Sequence, residues 1–359
     1  MVLGLLVMGP DTDQVQFCLA LAAYAGSTGE AAREATALHD VISSWLARMP
    51  ATVGQRIVWG PVSYRVHWQP SSPALVVFVT EGGARGGCSV IIRSGGPVSL
   101  WDHNLESLAC LEQEPWAWTR GDGNLAPAVC AGIHRQLEVV CELTPEEQLP
   151  GAGRSLAEFL AARVVELDGD RKLSVHVSGH GVGGTLASVV ALWLLDTQGS
   201  LSARDLAWDP QHRAKLHCIA FAGPSSGNAD FATYIAERLG PRLELIHNCL
   251  DHVPALWDTE TMEGLADLYL PHVEEPAIVR ATVEALCNEL ERSGIEYEQP
   301  PARLIEGELN LELPRSFIAQ AEYQHLHAYV ELLGLDPSTV DVDRILDRPS
   351  GIDGGPVAQ

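Results

Sequence analysis

The chain holds 359 residues, 46% of them hydrophobic and 19% charged, and 47 acidic against 23 basic side chains give a formal charge of −24. So many apolar residues and so few charges exclude an intrinsically disordered chain, and no apolar run reaches the ~20 residues of a membrane span. The acidic balance repels phosphate backbones, so nucleic acid is not an expected partner.

In chain order, residues 1–8 are apolar, but no basic residue precedes them and Asp11 and Asp13 follow at once. A secretory leader is therefore not expected, and the location read from the sequence is cytoplasmic. Ser27, Thr28, Gly29 and Glu30 have capping-box spacing and open a helical pattern that runs to about Met49. Residues 62–79 read as two strands joined near 70–73, residues 82–87 as a Gly-rich loop, 89–93 as a strand and 94–97 as a turn. Further on, 155–167 predict a helix, 173–177 a strand and 184–195 a helix apolar all round, hence buried. Two short buried strands, 217–221 and 243–247, flank a helix over 229–239, and helices dominate 259–333. Alternating strands and helices predict an α/β fold, a mostly parallel sheet with helices on both faces. The expected organisation is a single domain over 1–336 with an N-terminal helical extension over about 1–60, then a loose tail over 337–359. The 8 cysteines are scattered with no C-x-x-C spacing, which predicts buried reduced thiols, no metal and no disulfide framework; no cofactor is expected.

The sharpest local signal is Ser178-Gly179-His180-Gly181-Val182-Gly183-Gly184, between a predicted strand and a predicted buried helix. Strand, Gly-framed turn and helix are the context of a nucleophile elbow, G-x-S-x-G, which lifts one side chain above the sheet. Here the nucleophile position is Gly181, which has no oxygen. Two bland alternatives are a turn glycine in a Rossmann-like unit and a phosphate-cradling glycine loop. His180 and the lack of a ribose-binding acid at the usual spacing count against the second. Ser178 and Thr185 are poorly placed to replace the nucleophile, and nothing activates Cys249.

With these residues in view the chain resembles the class 3 lipases, α/β-hydrolases whose elbow commonly reads Gly-His-Ser-Leu-Gly-Gly. Phe221-Ala222-Gly223-Pro224-Ser225-Ser226-Gly227-Asn228 is similar to the family's Phe-Gly-x-Pro-x-x-Gly-Asn segment, with Ala222 in place of its first glycine. Asn248-Cys249-Leu250-Asp251-His252-Val253-Pro254 is similar to its Asn-x-x-Asp-x-Val-Pro segment, which implies Asp251 as the catalytic aspartate. Tyr323-Gln324-His325, followed by Tyr329, implies His325 as the catalytic histidine in preference to His327; His247 and His252 read as solvated or capping. Upstream, Ile92-Arg93-Ser94-Gly95 with Trp101 and Asp102 resembles the Arg-Gly-Thr loop that supplies an oxyanion-hole hydroxyl, here without the threonine. The oxyanion donors implied are Val182, Ser94 and Gly95.

The order Gly181, Asp251, His325 follows Ser…Asp…His. The resemblance implies a catalytically impaired lipase or esterase homologue that keeps an acyl-binding cleft, with a lipid or other carboxylic ester as ligand. Two other expectations are a weak ester hydrolase using His-activated water and a non-catalytic scaffold for a protein partner.

Overall fold

Strands form where β-branched and aromatic residues run together, as in Leu75-Val76-Val77-Phe78-Val79 and Val90-Ile91-Ile92. The computed structural model describes residues 11–26, 34–65, 74–82, 87–96, 109–120, 124–199, 207–273 and 276–347. Its strands are β1 Arg56–Tyr64, β2 Leu75–Glu81, β3 Cys88–Ser94, β4 Gln113–Pro115, β5 Ala128–Cys130, β6 Leu173–His180, β7 Ala214–Phe221, β8 Leu243–Asn248 and β9 Arg303–Ile305. The longer helices are α1 Thr12–Ala22, α2 Ala35–Arg48, α3 Ala131–Glu142, α4 Leu156–Val165, α5 Val182–Thr197, α6 Ala229–Leu239 and α7 Ala277–Ser293.

Seven strands form one sheet in the order β1-β2-β3-β6-β7-β8-β9, and β4 pairs separately with β5. The first three strands are an antiparallel meander, and from β3 to β9 all pairings are parallel. Both sheet faces are buried, as a parallel sheet requires. Val77, Val79, Val90, Ile92, Val175 and Val177 face a core shared with α5 and α6. Val76, Phe78, Ile91, Ile219, Phe221 and Ile246 face a second core built from α1, α2 and the C-terminal segment. The α/β reading of the sequence therefore holds. None of the helices among the described residues is long and apolar enough to cross a membrane.

The N-terminal helices pack on the sheet: α1 lies in the second core, with Phe17, Leu19 and Leu21 fully buried, and β1 begins the sheet at Arg56. The tail is packed at its start, because Val340, Val342, Ile345 and Leu346 are buried against that same core. Burial of these apolar side chains outweighs the loop signal of the proline and glycine residues nearby. The spacing at 27–30, the turn at 70–73, Trp101, Asp102 and residues 1–8 lie outside the described residues, as does most of the loop at 82–87.

Candidate active site

Strand β6 ends at His180 and α5 begins at Val182, so the chain reverses at one residue. Gly181 makes the turn at φ 60, ψ −134, a region that side-chain-bearing residues rarely enter. Its N–H donates to the Phe221 carbonyl at 2.9 Å, which fixes the turn to β7. The strand and helix close tightly around it: a Cβ on Gly179 would stand 2.2 Å from the Gly183 carbonyl oxygen, and one on Gly183 2.6 Å from that of Ile92. Backbone at that range leaves no space for a methyl group, so the glycine framing of the elbow is steric. Ala222 takes φ 56, which accounts for the glycine at the matching position of the lipase motif.

Asp251 follows β8 in a turn set by Asn248. The Asp251 N–H donates to the Asn248 carbonyl at 2.9 Å and the Leu250 N–H to Asn248 Oδ1 at 3.0 Å. The Asp251 carboxylate accepts from the Val253 N–H at 3.0 Å, the Tyr329 hydroxyl at 3.1 Å and His325 Nδ1 at 2.9 Å. Burial raises its carboxyl to about 6, while nearby His252 and the two donors at Val253 and Tyr329 pull the other way. Because a carboxylate only accepts, Nδ1 of His325 carries the hydrogen, and this leaves Nε2 for the elbow. A Cβ placed on Gly181 would lie 3.2 Å from that Nε2.

His325 sits in a π-helical turn, Tyr323–His327, between helical segments Phe317–Glu322 and Ala328–Leu332. Such turns re-aim side chains within a helix. The turn is anchored from below, since His180 Nε2 donates to the His325 carbonyl at 2.7 Å. His180 is fully buried and burial pulls its imidazole down to about 3, so it works as a neutral donor. The Tyr329 hydroxyl also accepts from the Asn248 N–H at 2.9 Å, tying the helical segment after that turn to the end of β8.

The three residues expected to act together, Gly181, Asp251 and His325, therefore converge. His327 points elsewhere, pairing with Asp343 at 3.3 Å. His247 and His252 are buried rather than solvated, and His252 Nδ1 stands 3.8 Å from Asp251 Oδ1. Ser178 donates to the Ile219 carbonyl and Thr185 to that of Pro224, both at 2.7 Å, so neither hydroxyl is aimed at the elbow. The expected oxyanion donors fare unevenly. Ser94 donates its hydroxyl to Gln136 Oε1 at 2.5 Å, and the Gly95 N–H donates to the Ala74 carbonyl at 2.8 Å, so both are engaged in holding structure. Val182 is the first residue of α5, where backbone N–H groups have no acceptor within the helix.

One residue here had no signal in the sequence. Tyr24, just beyond α1, donates its hydroxyl to the His180 carbonyl at 3.2 Å and stands 3.9 Å from the point where a Cβ on Gly181 would be. A cavity of about 360 Å³ lined by Asp11, His176, His217, Arg242 and Glu244 does not include Gly181, Asp251 or His325. Among the described residues no group of three His, Cys, Asp or Glu side chains could hold a metal ion.

Residues 128–260 match the family Lipase (class 3). Lipase-like PAD4 of Arabidopsis thaliana is 32% identical over 120 residues, which is 32% of this chain and only 19% of that protein. The crystal structure of M37 lipase superposes with a TM-score of 0.80 at 27% identity, covering 94% of this chain and 98% of that one. Lipase II from Rhizopus niveus is a more distant likeness, 16% identical with a TM-score of 0.42 over 70% of this chain and 77% of its own.

Proposed function

This chain is a relative of the class 3 lipases, and we propose that it is a catalytically impaired homologue that keeps an ester-binding site and the Asp251–His325 pair. The ligand is a carboxylic ester, of the kind a lipase handles. The observation that carries the reading is His325 Nε2 facing the backbone of Gly181 while Nδ1 bonds Asp251. In a serine hydrolase that imidazole takes the proton of the attacking hydroxyl, and the aspartate holds its orientation and charge. With glycine at the elbow there is no oxygen to form the acyl intermediate. Loss of the serine alone costs about 10⁶-fold in turnover in subtilisin. The buried thiols of Cys18, Cys88, Cys110 and Cys218 fit a reducing, cytoplasmic setting.

Replacing Gly181→Ser is expected to raise hydrolysis of a short-chain nitrophenyl ester at least about 100-fold over the parent chain, and adding His325→Ala is expected to remove the gain. A folded G181S that stays silent overturns the preserved-site reading and leaves the scaffold alternative. Water activated directly by His325 is the second reading, favoured by the closeness of Nε2 to the glycine. It requires slow turnover by the parent that disappears in H325A, and equal rates in the two exclude it.

A further inference from the structure

We infer that the cavity between the start of α1 and the lower ends of β7 and β8 binds a small zwitterion, its ammonium against Asp11 and Glu244 and its carboxylate against Arg242 and His217. The site is separate from the elbow and does not rest on the reading above. His176 on its floor stands five residues before Gly181, about 16 Å back along β6. At about 360 Å³ the cavity has the size of a small-molecule pocket.

The sheet sets the floor and the acidic wall. His176 and His217 are register partners on β6 and β7, with their rings stacked 5.0 Å apart. Glu244 on β8 pairs with Ile219, two residues along the same face from His217. The start of α1 brings Asp11 and Asp13 to this wall, and Arg303 bonds both Asp13 and Glu244. One guanidinium thus serves three carboxylates, and Asp11 pairs with no cation among the described residues. Burial and the Asp13 carboxylate together raise the Glu244 carboxyl, against the pull of Arg303. The wall is therefore short of positive charge.

The other side is basic. Arg242 closes the turn Gly240–Arg242 after α6, where Nε donates to the Leu239 carbonyl and Nη2 to the Arg238 carbonyl, both at 3.0 Å. These two helix-end carbonyls fix the guanidinium and leave Nη1 without a partner among the described residues. His217 likewise makes no hydrogen bond among the described residues. Burial, then the charges of Arg242 and Lys215, lower its imidazole, so near neutral pH it offers one N–H donor and one acceptor nitrogen. Arg242 and Glu244 stand two residues apart at the start of β8, about 7 Å of extended chain. A lone amine would leave the guanidinium unserved, and a lone carboxylate would meet the acidic wall. Opposite charges at the two ends of one short chain satisfy both sides.

The test is calorimetric titration of the parent chain, Arg242→Gln and Glu244→Gln with γ-aminobutyrate, with butylamine and butyrate as single-charge comparisons. The expected result is saturable γ-aminobutyrate binding by the parent, at least about tenfold weaker in each variant, since each loses a hydrogen bond between charged groups. Each single-charge compound is expected to bind the parent at least about tenfold more weakly than the zwitterion. Glu244→Gln also weakens the pair with Arg303; should it fail to fold, Arg242→Gln decides, because that side chain bonds only its own helix end. No saturable binding to the folded parent overturns the inference. So does equal binding of either single-charge compound, or zwitterion binding that the folded variants leave unchanged.

Discussion

At position 181 backbone geometry and catalysis pull in opposite directions. The φ of 60 and ψ of −134 suit glycine, yet on the proposed reading the groups around it are those that would serve an attacking side chain. A working elbow holds a serine in this strained region because the surrounding structure enforces it. Removing the side chain relaxes the strain, and restoring it should cost stability on two counts. The left-handed backbone disfavours a Cβ, and that Cβ would press on His325 Nε2 at 3.2 Å. G181S is therefore expected to lose about 1 kcal/mol, read as a melting temperature lower by about 2 °C. An equal or higher melting temperature would mean that the turn does not have this geometry. His180 belongs to the same scale: its ring hydrogen bond to the His325 carbonyl holds the turn that carries the His325 imidazole, one residue away from position 181.

At the scale of elements, the sequence was most legible where local signals coincide. Helix α6 was read to its last residue, Ala229–Leu239, because Asn228 caps it by accepting from the Phe231 N–H at 2.8 Å and Gly240 ends it. The β6–turn–α5 unit was legible for a related reason: an apolar strand, small residues at each close approach, then an apolar helix. Helix α1 lies within the helical stretch expected over about 1–60, and its start is set by the capping box of Asp11 and Gln14. Helix α3 was missed because its cap, Cys130, makes no side-chain hydrogen bond and so leaves no capping signal. At the site, Asp251 and His325 were legible as parts of ordered motifs. Tyr24 was not, because its contact with the His180 carbonyl joins residues 156 positions apart and depends on how α1 lies on the sheet. The engagement of Gly95 was equally hidden, since its bond to the Ala74 carbonyl arises from the pairing of β2 with β3.

For the whole molecule, buried titratable groups decide how stability responds to acid. Burial lowers His180 to about 3 and His247 to about 4, so the folded protein keeps both neutral where an unfolded chain would protonate them. Below an unfolded value of about 6.5 the unfolded chain binds more protons, and stability falls as the pH drops toward 4. Asp251 acts in the opposite sense. With its carboxyl raised to about 6, it favours the folded state at low pH and loses that contribution as the pH rises through 6. Two histidines against one carboxyl give a net loss on acidification from pH 6.5 to 4, to be measured as a falling denaturation midpoint. Removing one of them, in His247→Phe, should flatten the slope. A midpoint that rises over the same range would contradict the burial of these groups.

The most direct measurement of an intact Asp251–His325 pair facing an elbow without a nucleophile is covalent. The parent chain, G181S and G181S/H325A are treated with an alkyl fluorophosphonate, and the adducts are mapped by mass spectrometry. The expected result is one adduct per chain at position 181 in G181S, none at that position in the parent, and a labelling rate reduced at least about 100-fold in the double variant. A folded G181S that does not react, or one that labels equally fast without His325, would contradict the account.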